Sequence, residues 1–169
     1  MTTVSKPVFL RDHEWIDFSK KYEASDDRSC AILFTAYLDN CLGETFLCIT
    51  KHPEDAREKL LKDTRPMGTL SAKIDLLWVL GQLSEPVYRD MHLIRRIRNE
   101  FAHSVAISSF NQDPVRSRCL ELQLPRLRSR SEDYKKFRED LRLLFIMSGA
   151  LCEGELYQAY GKVNPQGSD

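Results

Sequence analysis

Eleven residues, Leu93-Ile-Arg-Arg-Ile-Arg-Asn-Glu-Phe-Ala-His103, gather three arginines, an asparagine and a histidine within two or three helical turns. Asn99 and His103 are four apart and share a helical face, and the long side chain of Arg98 reaches back over the same surface. Arg98 offers a guanidinium for phosphate, Asn99 an amide to orient it, and His103 an imidazole that moves a proton near neutral pH. Those groups suit metal-free RNA cleavage, where the 2′-hydroxyl attacks and the protein shifts protons and stabilises charge. The same segment also reads as plain structure. Ile94, Ile97 and Phe101 are core residues, Arg95 and Arg96 form a solvated face, Arg98 pairs with an acid, and His103 sits favourably against a helix C-terminus.

A second basic stretch runs from Arg116 to Arg142, with nine Lys/Arg against five Asp/Glu and a local charge of +4. Its Arg126, Arg128 and Arg130, together with Arg95 and Arg96 of the first segment, are candidates for contact with nucleic acid or a protein partner; the alternative is a helix face turned to water. The chain as a whole is neutral, with 25 basic and 25 acidic residues, so global charge gives no case for nucleic-acid binding. The five cysteines form no C-x-x-C pair and read as small buried hydrophobes in a reducing compartment. Cys48 and His52 have i, i+4 spacing, but Pro53 follows at once, so neither a metal nor any other cofactor is expected. No glycine-rich phosphate loop and no G-x-S-x-G turn occurs. Trp15 and Trp78 are expected in the core or an interface.

The elements that must position these residues are helical. Asp26-Asp27 offers a cap for a helix over about 26–50, with Leu33, Tyr37, Cys41 and Leu47/Cys48 near one stripe. An amphipathic stretch over 9–23 precedes it, and a short helix over 53–62 follows, with Pro53 in its first turn. Thr69 or Ser71 caps a helix whose Ile74, Leu77, Trp78 and Gly81 recur at helical spacing and which ends near Ser84. Gly81, inside that pattern, is expected to allow close helix contact. A further helix runs from Pro86 to His103. Residues 104–130 break the pattern around a short helix at 115–123. The last long helix starts at Ser131 and persists to Tyr160, with Gly161 as its stop and a mobile tail over 162–169.

Only 14 of 169 residues are Gly or Pro, and no strand alternation or repeat appears. The expected fold is an all-α, single-domain bundle of six or seven helices over 1–161. The longest apolar stretch, Leu143 to Cys152, falls short of the ~18 residues a spanning helix needs. No signal peptide is visible either, so a soluble, cytoplasmic protein with no membrane partner is expected.

Arg98-Asn99-Glu-Phe-Ala-His103 resembles the R-N-x3-H form of the R-x4-6-H motif of the HEPN superfamily. That resemblance implies a helical bundle and, with Arg98 and His103 as catalytic pair and Asn99 at the polar position, a metal-independent ribonuclease or toxin acting as a homodimer. A second resemblance covers about Ser25 to Cys119. Ser25-Asp-Asp-Arg-Ser-Cys-Ala31, Tyr37-Leu-Asp39, Gly68-Thr-Leu-Ser-Ala-Lys-Ile-Asp-Leu76 continuing to Leu80-Gly81, and Ile94 to His103 are similar in order and spacing to the mannitol operon repressor family. It implies a helical protein that lowers transcription of a sugar-uptake operon without a recognisable DNA-binding domain, hence through protein partners. No helix-turn-helix pair with a basic recognition helix is apparent, so sequence-specific DNA contact is not expected. A partner-binding regulator therefore ranks first, a HEPN-type ribonuclease acting on RNA second, and a non-catalytic interaction module third. A homodimer is expected under all three.

Overall fold

The computed structural model describes Phe9, Asp17, Phe18, Lys20 and residues 24–50, 59–62 and 64–163. Most of the stretches expected to be helical over 9–23 and 53–62, with Trp15 and His52, lie outside the described residues, as do 164–169. The helices are α1 (Asp27–Ile49), α2 (Leu70–Val79), α3 (Glu85–His103), α4 (Val115–Leu120), α5 (Leu124–Arg128), α6 (Ser131–Glu139) and α7 (Leu141–Val163). No strand occurs among the described residues, in keeping with the all-α expectation.

The long helices α1, α3 and α7 pack on one another, α2 closes one side against α1 and α3, and the short α4–α6 cover the side towards α7. A chain of aromatic rings joins them. Phe101 meets Phe110 at 5.0 Å between ring centroids, Phe110 meets Phe145 at 5.2 Å, and Phe145 meets Phe34 at 6.0 Å. All four rings are fully buried, each contributing about 1.5–3 kcal/mol of hydrophobic stabilisation. By length and apolar content α1 would span a bilayer, which the search for long apolar stretches missed. Its Phe34, Leu38, Cys41 and Leu42 are instead buried against neighbouring helices, as in a central core helix. Leu33, expected on the buried stripe, is half exposed because the buried face is centred one position on, at Phe34.

The helix ends follow local chemistry. Asp26 caps α1 by accepting from Ser29 N at 2.9 Å, and Thr69 caps α2 by accepting from Ala72 N at 3.2 Å. Glu155 of α7 accepts from both the backbone N and the hydroxyl of Ser84, closing the N-terminus of α3 from another helix. Buried Asp90 of α3 accepts from Gln123 N, Leu124 N and Ser148 Oγ, so one carboxylate ties α3 to α5 and α7.

Five expectations are corrected. α2 ends at Val79, not near Ser84, because Gly81 adopts φ +69° and Gln82 N and Gly81 N donate back to Leu77 O and Trp78 O at 2.9 Å each. Gly81 is thus a helix stop with open space around it; the close-contact glycine is Gly149 of α7, against which the Phe34 ring is pressed. The helix expected over 131–160 is two helices, broken at Asp140, whose extended backbone lets its side chain accept from Leu143 N at 3.0 Å. α7 then continues through Gly161 to Val163, so Lys162 and Val163 belong to the helix and not to a tail. Trp78 is exposed and stacks on Tyr88 at 4.9 Å instead of entering the core.

Candidate functional site

α3 carries the R-N-x3-H segment, and its apolar stripe of Val87, Met91, Ile94, Ile97 and Phe101 is buried as its periodicity implies. That burial turns Arg95, Arg98 and Asn99 towards α1 and the start of α2. There they line an open cavity of about 410 Å³, with Thr35, Asp39 and Ser71 among the groups facing them. Arg98 Nη1 donates to Asn99 Oδ1 at 3.0 Å, and neither Arg95 nor Arg98 has an acidic partner among the described residues. Asp39 accepts from Lys73 Nζ at 2.8 Å, and this lysine is almost fully buried. Two guanidiniums therefore dominate the charge of the cavity, an arrangement suited to an oxyanion.

His103 lies outside this cavity, exposed in the last turn of α3. The helix end beside it is occupied by Arg28, which donates to Phe101 O at 2.6 Å, Ser104 O at 2.9 Å, Val105 O at 3.3 Å and Ile107 O at 2.6 Å. The cation against the α3 carbonyl end is thus held by α1 and not by the local histidine. Asp27, next to Arg28, accepts from Phe110 N at 3.0 Å and from Arg142 at 3.3 Å. Glu100, inside the motif, pairs with Arg118 at 3.0 Å. Arg98 and Asn99 meet each other at the cavity, and His103, one helical turn beyond Asn99, is not among the residues that line it.

The arginines singled out for nucleic-acid or partner contact fall in two places. Arg95 and Arg96 line a second crevice of about 370 Å³ with Tyr88 and His92. His92 Nε2 and Tyr88 OH both meet Asp75 Oδ1 at 3.0 Å. Arg126, Arg128 and Arg130 are exposed around α5; Arg128 pairs with Glu155 at 3.2 Å and Arg130 with Asp133 at 3.1 Å. Arg96 and Arg126 are exposed and have no ion pair among the described residues.

Cys30, Cys41, Cys119 and Cys152 are buried, and burial pushes the thiols of Cys30, Cys41 and Cys119 up to about 11, 12 and 12. They are inert apolar groups, as expected. Cys48, half-buried, donates to Tyr160 O at 3.7 Å.

Reasoning from residue types missed Arg28, Thr35 and Lys73, and placed the capped start of α2 without bringing it to the arginines. Their signal lay in the segments that carry the repressor resemblance. Tyr37-Leu-Asp39 supplies Asp39, Gly68–Leu76 supplies the capped end of α2, and Ile94–His103 supplies the arginines, all at one cavity. Ser25–Ala31 locks the far end of α3 through Arg28 and the segment beyond it through Asp27.

A solved structure with the same fold is the MtlR–HPr complex from Escherichia coli. It is similar at a TM-score of 0.65 and 18% identity, over 86% of this chain and 99% of that one. No curated protein matches the sequence. Residues 33–146, which include every group lining the cavity, match the mannitol repressor family. A match over well over half of the 169 residues places the chain in that family: it belongs to the mannitol repressors.

Proposed function

We propose that this protein regulates a sugar-uptake operon by binding a protein partner of the HPr kind, and that it does not read DNA bases itself. The observation that carries this reading is the shared fold with a mannitol repressor whose solved form is a complex with HPr, joined to membership of the same family. The surface chemistry supports it. Arg96 and Arg126 are exposed and unpaired among the described residues, so a partner with acidic groups gains ion pairs there without first breaking any. Arg95, Arg128 and Arg130 flank them, and a cytoplasmic homodimer is the form in which we place the regulator.

The ribonuclease reading needs His103 to act on the same phosphate as Arg98. His103 is exposed one turn beyond Asn99 and does not line the cavity that holds Arg98 and Asn99. The experiment is calorimetric titration of the chain with HPr, beside Arg96→Glu and Arg126→Glu variants. Saturable binding, weakened about tenfold by each charge reversal and by added salt, is expected. Absence of binding, together with RNA cleavage in EDTA that His103→Ala abolishes, would overturn it.

A further inference from the structure

We infer that the cavity between α1, α3 and the N-terminus of α2 is a binding site for a small phosphate monoester of a hydroxylated compound. The inference does not depend on the choice of protein partner. It starts from charge. Arg95 and Arg98 are three apart on α3, both line the cavity, and neither meets a carboxylate among the described residues. The one carboxylate in the cavity, Asp39, is held by Lys73 at 2.8 Å. Like charges at this spacing repel, and an oxyanion between them removes the repulsion through charge-assisted hydrogen bonds.

The opposite wall adds donors of the same polarity. α2 is a ten-residue helix, and its cap Thr69 takes the Ala72 amide, leaving the Leu70 and Ser71 amides unclaimed at the positive end of the helix dipole. Independently of that helix end, Thr35 Oγ1 is buried, with the residue only 1% exposed, and has no hydrogen-bond partner among the described residues, while Thr35 lines the cavity. Arg95 Nε, on the facing helix, is likewise buried and unpartnered. Buried polar atoms are rarely left unpaired, and these two sit in the cavity wall with hydrogen bonds still to be made.

Size and polarity set the class. A cavity of about 410 Å³ lies in the range of small-molecule sites, roughly 300–1,000 Å³, and exceeds what a bare phosphate fills. Beyond the arginines it presents Asp39, Asn40 and the Ser71 hydroxyl, groups that pair with ligand hydroxyls, beside the smaller apolar surfaces of Ala36 and Leu70. A phosphate bound to a compact polyol satisfies both ends. An apolar crevice of Leu38, Leu42, Ile74 and Met91 lies behind Thr35 and is too narrow to admit the ligand further.

The test is calorimetric titration of the full chain with a hexitol monophosphate, the parent hexitol and inorganic phosphate, followed by thermal melts with each. The expected result is saturable binding of the ester, at least tenfold tighter than phosphate, with no binding of the parent hexitol. Arg98→Gln and Arg95→Gln should each weaken the ester at least tenfold, and Thr35→Val severalfold, with melts of the free variants showing that they fold. Phosphate binding as tight as the ester would overturn the polyol class. No binding of the ester to the unmodified chain, or binding undiminished in folded arginine variants, would overturn the site.

Discussion

Arg28 shows how one side chain can hold a helix end it does not belong to. Its guanidinium spans the carbonyls of Phe101, Ser104 and Ile107 at 2.6–2.9 Å, a fan that no ammonium reproduces. Arg28→Ala is expected to cost about 2–3 kcal/mol in urea unfolding, and Arg28→Lys to recover less than half. Glu153 is the second residue with a measurable signature. Burial raises its carboxyl above the ordinary 4.5, although the Tyr37 hydroxyl, donating at 3.1 Å, opposes the shift. The folded chain then holds a proton the unfolded chain has released, so this contribution is fully present below pH 4.5 and is lost as pH rises through the higher folded value. Glu153→Gln keeps an acceptor for Tyr37 and should flatten that part of the pH–stability profile, with stability at pH 7 equal to or above the parent. Neither role was legible beforehand. Arg28 and Glu153 act on groups 73–79 and 116 positions away, and spacing along a chain carries no such information.

At the scale of elements, caps and periodicity were legible because they are local. Asp26, Thr69 and the stripe of α3 announce themselves within a few residues. The close contact expected of Gly81 falls instead to Gly149, because the difference between the two is not local. Gly81 requires a positive φ that ends α2, whereas Gly149 requires a neighbour, Phe34, that only the packing of α1 on α7 supplies. Gly149→Ala would drive a methyl group into a fully buried ring and is expected to cost about 1–3 kcal/mol, read as a lower urea midpoint. Smaller residues at Phe34 should partly rescue it, since the overlap is with that ring. The break between α6 and α7 escaped the pattern because apolar spacing continues across it. Asp140 ends one helix and starts the next through its own side chain.

For the whole molecule, the all-α bundle was legible from low Gly and Pro content and long apolar periods, since helix faces must find one another to be buried. The candidate site was only half legible. Arg98, Asn99 and His103 were visible as a set on one helix, but the cavity that Arg98 and Asn99 line is closed by α1 and α2, and His103 is not among its lining residues. The chain belongs to the mannitol repressor family, and the partner-binding role proposed above rests on that membership and on the shared fold. The most direct measurement is the molar mass in solution by light scattering, taken for the chain alone, with HPr, and with duplex operator DNA. A stoichiometric mass increase with HPr, and none with DNA, is the expected result. An increase with DNA and none with HPr would contradict a regulator that works through a protein partner.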